Sequence, residues 1–179
     1  AHKIYGPKGI GALVIRDGVR LQPLQWGGGQ EAGLRAGTLP SALIMGFAAA
    51  VQQAMLDLKE RNERLAALRN QLWTGLQKQI PYIVLNGDIK TRLSHNLNVT
   101  IPGITGSNLH RTLRPDLACS SGSACSQGVP SHVLQAIGRS RSEAEASLRL
   151  SLGRSTTLAE VNQAVELISR AATTCKKHM

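Results

Sequence analysis

Aromatic residues are scarce in this sequence, and their absence sets a first limit on function. The chain of 179 residues has one Phe, two Tyr and two Trp. Proteins that bind single-stranded nucleic acid stack its bases on aromatic side chains placed along a basic groove. Lys and Arg outnumber Asp and Glu by 21 to 11, and the formal net charge is +10, but the basic residues are spread along the chain. The composition favours acidic partners or a charge kept for solubility, and argues against nucleic acid.

Cysteine is also rare, and long apolar runs are lacking. Cys119, Cys125 and Cys175 are odd in number and form neither a Cys-x-x-Cys pair nor a zinc-type spacing with histidine. We therefore expect a reducing compartment, with no disulfide framework and no metal site. The longest apolar run, residues 42–50, contains Gly46 and is far shorter than the ~20 residues that a membrane span needs. No signal-peptide pattern opens the sequence, so a soluble cytoplasmic protein without a membrane partner is expected.

Predicted helices and strands alternate along the chain, which indicates an α/β fold with an α+β C-terminal domain. Residues 10–15 are a short apolar run before Asp17-Gly18, the pattern of a strand buried on both faces. Residues 22–40 hold five glycines and two prolines, which predicts a loop with a role of its own. The remaining expected elements are strands at 82–85, 96–101 and 148–152, a short helix at 107–113, and a last helix that opens with a capping-box pattern at Thr157 and runs to about residue 176.

Residues 41–79 are expected to form one long amphipathic helix, with a kink allowed. Five leucines fall near one helical face with charged residues between them, namely Leu56, Leu65, Leu68, Leu72 and Leu76. The helix would link two parts of different character. Residues 1–40 are expected to be the remnant of a larger domain, and residues 80–179 a small C-terminal domain.

Cys125 is surrounded almost entirely by Ser and Gly in residues 120–128. These residues cannot pack a core and leave the backbone mobile, so this thiol is expected to be exposed, whereas most free cysteines are buried. A segment of about 10 residues anchored at both ends can reach on the order of 15 Å. The pattern favours a nucleophile that travels to its substrate, and an ordinary flexible loop is the alternative. Cys119 is expected to be a packed core thiol at a strand end, and Cys175 to be a surface residue or a residue on a helix face.

Three further motifs contain candidate ligands. Lys3 could form a Schiff base with an aldehyde cofactor, and the adjacent imidazole of His2 could donate to a cofactor oxygen. Thr38 ends the Arg-Ala-Gly-Thr segment that closes the glycine-rich loop, where its hydroxyl and backbone N–H groups could bind a phosphate. Arg154 follows a predicted strand, and its guanidinium could hold a carboxylate through two parallel hydrogen bonds. Each motif has a simpler alternative. His2-Lys3 could be a chance dipeptide, the segment ending at Thr38 could only connect a loop to a helix, and Arg154 could be an ordinary surface arginine.

The order of these motifs is more specific than any one of them. The segments are His-Lys at 2–3, Tyr-Gly-Pro-Lys-Gly-Ile-Gly-Ala-Leu at 5–13, Gly-Gly-Gly through Arg-Ala-Gly-Thr at 27–38, Ser-Ser-Gly-Ser-Ala-Cys at 120–125 and Leu-Gly-Arg at 152–154. Together they resemble the cysteine desulfurases of the NifS/IscS type, in the class V aminotransferase group of pyridoxal-phosphate enzymes. The resemblance covers essentially the whole chain. Its most specific part is the cysteine segment, which is similar to the long loop of the subgroup that feeds iron-sulfur assembly.

The resemblance implies a fold-type I enzyme that uses pyridoxal 5'-phosphate to convert L-cysteine to L-alanine. It assigns Lys3 as the Schiff-base lysine, His2 as a ligand of the cofactor phosphate, and Thr38 as a phosphate ligand donated across a homodimer. Arg154 would hold the substrate carboxylate. Cys125 would accept the sulfur as a persulfide and pass it to an iron-sulfur scaffold or another sulfur-acceptor protein.

In the family, this region is only about the second half of the protein. The resemblance therefore implies a longer enzyme whose first half carries the residue stacked on the cofactor ring, the acid paired with its pyridinium nitrogen, and a further carboxylate ligand. By itself the chain is expected to lack the cofactor or to bind it weakly. The alternative function is a non-catalytic module that relays sulfur or binds a partner.

Overall fold

The computed structural model describes residues 1–120 and 129–177, so that Cys125 lies outside the described residues. By their internal contacts the residues divide into two compact units, which we call unit 1, Ala1–Leu58, and unit 2, Lys59–Met179. Each unit is described by itself. The three-part division expected from the sequence stays a prediction about the whole protein.

Unit 1 contains helix α1, Ser41–Leu56, and two short 3₁₀ turns at His2–Ile4 and Glu31–Gly33. The strand expected at residues 10–15 is not formed, and the side chains of Leu13 and Val14 are 76% and 89% exposed. A strand that is apolar on both faces needs neighbouring strands to cover it. Residues 1–58, all of which the structure describes, contain no strand that could do so.

The segment expected as one helix is two helices, α1 and α2, Leu58–Gln79, with Asp57 between them. Asp57 has φ −126° and ψ 22°, outside the helical region. The leucine face belongs to α2, because the four leucines from Leu65 to Leu76 are buried whereas Leu56 is 77% exposed. Within the described residues no single helix is long and apolar enough to cross a membrane; only α1 and α2 taken together, across the break, reach that length and composition.

Unit 2 is built on an antiparallel sheet of three strands in the order β1-β2-β3. The strands are Val84–Leu85, Asn96–Thr100 and Ser147–Ser151. Leu97 lies opposite Leu150, and Val99 lies opposite Leu148. All four of these side chains are buried, because alternate residues of a strand point to the same face. The strands expected near 96–101 and 148–152 are confirmed, and the first strand is shorter than expected.

The other elements of unit 2 are helices α3, Gly106–Leu113; α4, His132–Ala136; α5, Arg141–Glu145; and α6, Leu158–Lys177. Helices α2, α3 and α6 contribute to the hydrophobic core with the sheet. Cys119 packs against this core, as expected. Of the two positions expected for Cys175, a helix face is confirmed and the surface is wrong. The residue is 7% exposed, because it continues the buried stripe of α6 one turn after Ala171 and Ala172. The mixed helices and antiparallel sheet confirm the α+β prediction for this unit.

Candidate active site

His2 and Lys3 lie side by side on the first 3₁₀ turn of unit 1, and both side chains are exposed. The turn is closed by its own backbone: the carbonyl of Ala1 accepts from Ile4 N at 3.0 Å and from Gly6 N at 3.1 Å. Glycine is required at position 6, since a Cβ there would lie 2.8 Å from the Ala1 Cβ. The local fold therefore presents an amine and an imidazole together to the surroundings.

Thr38 is exposed at the end of the glycine-rich loop, directly after Gly37, whose φ of +112° favours glycine. The loop is fastened by Gln30, whose Oε1 accepts a hydrogen bond from Gly37 N at 3.1 Å. The guanidinium of Arg35 donates to the carbonyl of Ala36 at 2.7 Å, and Ala36 is buried. Sequence reasoning missed Gln30; its only signal was an amide side chain inside a run of glycines.

Arg154 lies in unit 2, exposed, in the turn between β3 and α6. This turn is held at both ends, since Gly153 N donates to Thr156 Oγ1 at 2.8 Å. Arg64 of α2 donates to the carbonyl of Arg154 at 2.7 Å and to the carbonyl of Thr156 at 2.8 Å. The backbone that carries Arg154 is therefore fixed by a second arginine, which sequence reasoning did not identify because it lies 90 residues away.

Ser120, the last described residue before the segment that contains Cys125, is paired with Arg149 of β3. Ser120 and Arg149 exchange two backbone hydrogen bonds, of 3.2 Å and 2.7 Å, and Arg149 Nη2 lies 3.3 Å from Ser120 Oγ. The preceding residue, Cys119, has its Sγ 3.6 Å from His110 Nδ1. Burial raises the pKa of the Cys119 thiol, so Cys119 stays protonated at neutral pH and is a weak nucleophile.

The candidate residues are thus divided between the two units. His2, Lys3 and Thr38 belong to unit 1, whereas Arg154 and Ser120 belong to unit 2. An exposed amine, imidazole and hydroxyl are the donor set that an aldehyde bearing a phosphate requires. Among the described residues, no group of three or more His, Cys, Asp and Glu side chains could hold a metal ion.

The chain is similar to known proteins along most of its length. The family model for Aminotransferase class-V matches residues 1–164. The cysteine desulfurase IscS of Aeromonas hydrophila subsp. hydrophila is 45% identical over 172 residues, which are 94% of this chain and 42% of that protein. The cysteine desulfurase IscS of Photorhabdus laumondii subsp. laumondii is 45% identical over 175 residues, 96% of this chain and 43% of that protein. The chain therefore spans less than half the length of these relatives.

Solved structures give the same result for the fold. A NifS-like protein superposes with a TM-score of 0.85 at 34% identity, covering 97% of this chain and 45% of that one. DndA from Streptomyces lividans gives a TM-score of 0.66 at 36% identity, covering 84% of this chain and 44% of that one. The described fold matches part of a NifS-like enzyme of fold type I, which confirms the predicted fold class.

Proposed function

Because the chain belongs to the class V aminotransferase family, we propose that it is part of a cysteine desulfurase dependent on pyridoxal phosphate. The enzyme would convert L-cysteine to L-alanine and transfer the sulfur to a protein cysteine. The observation that carries this proposal is the 45% identity, over 94% of the chain, to a protein named cysteine desulfurase. Since the chain spans 42% of that relative, we propose the activity for the polypeptide that contains it.

The residues of unit 1 fit the cofactor that this family implies. Lys3 would bind the aldehyde of pyridoxal 5'-phosphate covalently, and His2 and Thr38 would bind its phosphate, Thr38 doing so across a homodimer. All three side chains are exposed, and Gln30 fixes the backbone next to Thr38. When bound, the cofactor would withdraw electrons from the Cα of an amino acid.

The chain's own residues supply the remaining chemistry. Arg154 would orient the substrate through its carboxylate. The substrate amine would replace Lys3 at the cofactor aldehyde, and the freed Lys3 amine would take the proton from Cα. The Cys125 thiolate would then attack the substrate sulfur, so that an S–S bond forms while the Cβ–S bond breaks. The bonding pair would stay on Cβ, which gains a proton. Lys3 would return a proton to Cα, so that alanine forms and the enzyme keeps a persulfide. Cys119 does not suit this step, because burial raises its pKa.

We also propose a homodimer that hands sulfur to an iron-sulfur scaffold or another acceptor in the cytoplasm. Unit 1 exposes large apolar side chains, with Leu24 at 99% and Trp26 at 79% exposure. Exposed apolar side chains of this size support the proposal that another polypeptide surface packs on them. Either the rest of the polypeptide or a second subunit would cover them. Cys119 and Cys175 are free thiols, which suits a reducing compartment.

The test is to join this chain to the N-terminal part of an IscS relative and to measure alanine and sulfide formed from L-cysteine with pyridoxal phosphate. We expect turnover in the joined protein and little or none in the 179-residue chain alone. Lys3→Ala should abolish turnover and the visible absorbance of the bound cofactor. Absence of turnover in a joined protein that has bound the cofactor would refute the desulfurase proposal.

Cys119→Ser is the matched control for Cys125→Ser, because the two thiols lie six residues apart. Only the change at Cys125 should abolish sulfur transfer to the protein, read as an added sulfur atom in the intact mass. Equal losses in both variants would contradict the assignment of Cys125. Persulfide transfer without any bound cofactor would support the non-catalytic relay instead.

A further inference from the structure

A second candidate site lies in unit 2, on the face of the sheet opposite the hydrophobic core. It is a cavity of about 340 Å³, which we call the polar cavity, lined among others by Arg92, Asn96, Asn98 and Arg149. The last three lie on β2 and β3 at positions that alternate with the buried Leu97, Leu148 and Leu150, and they therefore point away from the core. The volume falls in the range of small-molecule sites.

Arg92 brings a cation to the polar cavity. It donates from Nε to the carbonyl of Asp88 at 2.8 Å and from Nη2 to the carbonyl of Asn86 at 2.6 Å. These bonds fix the plane of the guanidinium, while no ion pair of the described residues includes it. Burial lowers the pKa of Arg92 and nearby Arg69 lowers it further, with Asp88 partly opposing. The field at this position therefore favours a bound negative charge.

Arg149 brings a second cation to the same cavity from β3. It lies opposite Asn98 in the sheet, and Asn98 is linked to Asn86 by a side-chain hydrogen bond of 2.7 Å. The one described side-chain bond of Arg149 is the 3.3 Å contact with Ser120 Oγ, so most of its N–H groups have no partner in the described part of the chain. Arg92 and Arg149 both line this cavity.

The one carboxylate among the described lining residues, that of Asp88, offsets only one of these two positive charges. Asp88 accepts hydrogen bonds from Lys90 N at 3.1 Å, from Thr91 N at 3.2 Å and from Thr91 Oγ1 at 2.9 Å. These donors hold the pKa of Asp88 below its ordinary value and keep its oxygens occupied within its own loop. Charge at the polar cavity is left positive.

We propose that the polar cavity binds a small anion with a carboxylate or phosphate group, held by the guanidinium groups of Arg92 and Arg149. Both ligand groups match the planar N–H fork of arginine, and a fork that its neighbours already orient loses less freedom on binding. Asn96 would add a neutral donor, since its side-chain amide has no described partner. This site is separate from the residues proposed for cofactor chemistry.

The experiment is an amide NMR titration of the 179-residue chain at constant ionic strength, with inorganic phosphate in one arm and succinate in the other. Saturable shifts at Gly87, Thr91 and Val133 are expected, and the arm that saturates identifies the anion class. Arg149→Gln should weaken binding about tenfold or more, since a hydrogen bond to a charged group is lost. Arg170→Gln, an exposed arginine of α6, makes the same change of charge and should leave the affinity unchanged.

Shifts that grow linearly in both arms, or that respond equally to Arg149→Gln and Arg170→Gln, would overturn the proposal. Arg92→Gln is a second variant, but it also removes the two bonds that hold residues 86–92 together. Its result counts only if its thermal melt matches the wild type, and otherwise Arg149→Gln decides. Because neither pyridoxal phosphate nor cysteine is used, failure here leaves the desulfurase proposal untouched.

Discussion

Gly106 controls how closely two helices of unit 2 approach each other. It is the first residue of α3, and a Cβ added to it would overlap the carbonyl oxygen of Glu145, the last residue of α5. A backbone carbonyl cannot rotate away as a side chain can, so a whole element must shift. Gly106→Ala should lower the free energy of unfolding by about 1–3 kcal/mol, the usual cost of overpacking, measured by urea denaturation.

The control for this prediction is Ser107→Ala, one residue further along α3. Ser107 is exposed, and alanine is the better helix former. Its change should stay within about 0.5 kcal/mol, as is usual for surface positions. If both substitutions lower the free energy of unfolding by the same amount, the close approach of α3 and α5 does not limit stability.

His110 should make the stability of unit 2 depend on pH. Burial lowers the pKa of His110 below its ordinary 6.5, with the backbone of Ser147 partly opposing. Its Nε2 is buried and meets the criteria for a hydrogen bond with none of the described residues. The unfolded chain therefore takes up a proton near pH 6.5 that the folded chain takes up only at lower pH. Protonation favours the unfolded state, so this contribution to stability falls as the pH drops below about 6.5.

The measurement is the melting temperature between pH 7.5 and 5.5. The melting temperature of His110→Gln should fall less over this interval than that of the wild type, because the group that gains the proton on unfolding is gone. The melting temperature of His132→Gln, a change at an exposed position of α4, should fall as much as that of the wild type. An unchanged slope in His110→Gln would mean that His110 is free to protonate in the folded chain.

At the scale of elements, the start of α6 depends on a reciprocal pair of hydrogen bonds. Thr157 N donates to Glu160 Oε2 at 2.7 Å, and Glu160 N donates to Thr157 Oγ1 at 3.3 Å. The bond from Thr157 N, together with one of 2.9 Å from the Thr157 hydroxyl, holds the pKa of Glu160 below its ordinary 4.5. The folded state thus binds this proton less readily than the unfolded state, so the contribution is present above about pH 4.5 and is lost as the pH falls through the lowered pKa.

Glu160→Gln tests this cap, since glutamine keeps an acceptor but cannot be protonated. The melting temperatures of wild type and variant should differ at pH 6 and converge toward pH 3. Glu166→Gln on the exposed side of the same helix should not reproduce the convergence. A constant difference over this range would contradict the role given to the Glu160 carboxylate.

The elements that were predicted correctly are those whose hydrophobic pattern and packing partners both lie within the described residues. Leu97 and Val99 alternate along β2 and meet Leu150 and Leu148 on β3, so period and burial agree. Residues 10–15 have an equally clear pattern, but no strand of unit 1 covers them, and the pattern does not say which other segment would. The sequence allowed a kink in residues 41–79 but did not place it at Asp57, because no proline or glycine marks that position.

For the candidate site, sequence motifs identified the reactive groups but not the residues that hold them. His2 and Lys3 are neighbours in sequence, so their juxtaposition needs no fold. Arg64 acts on the turn of Arg154 across 90 residues, and only tertiary structure reveals such a pair. The short helix α5 did carry a readable signal, the Ser140–Glu143 capping box, in the serine and the glutamate three residues later.

At the scale of the whole molecule, the two units differ in what they bury. Of the buried hydrophobic residues, only Ala36 and Ala50 belong to unit 1, and an alanine contributes little to burial. Unit 2 has a continuous core that includes the fully buried Leu76, Leu97 and Ile168. Since local stability follows the apolar area that a region buries, unit 1 should open far more readily than unit 2.

Limited digestion with trypsin measures this difference. Exposed Arg16, Arg20 and Arg35 should be cut at least about tenfold faster than Arg69, which lies buried in α2, because cleavage follows the open population. Mass spectrometry should then show a resistant fragment that begins near Lys59. Equal rates in the two units would contradict the contrast in burial.

Joining the chain to the N-terminal part of an IscS relative should reverse this behaviour. If the added polypeptide covers Leu13 and Val14, cleavage at Arg16 and Arg20 should slow by about tenfold or more, because the opened state becomes rarer. Leu13→Ser in the joined protein should restore part of the cleavage, whereas Asp17→Ser, at an exposed polar position nearby, should not. If Leu13→Ser leaves the cleavage rates at Arg16 and Arg20 unchanged, the added part shields the arginines without burying this apolar segment.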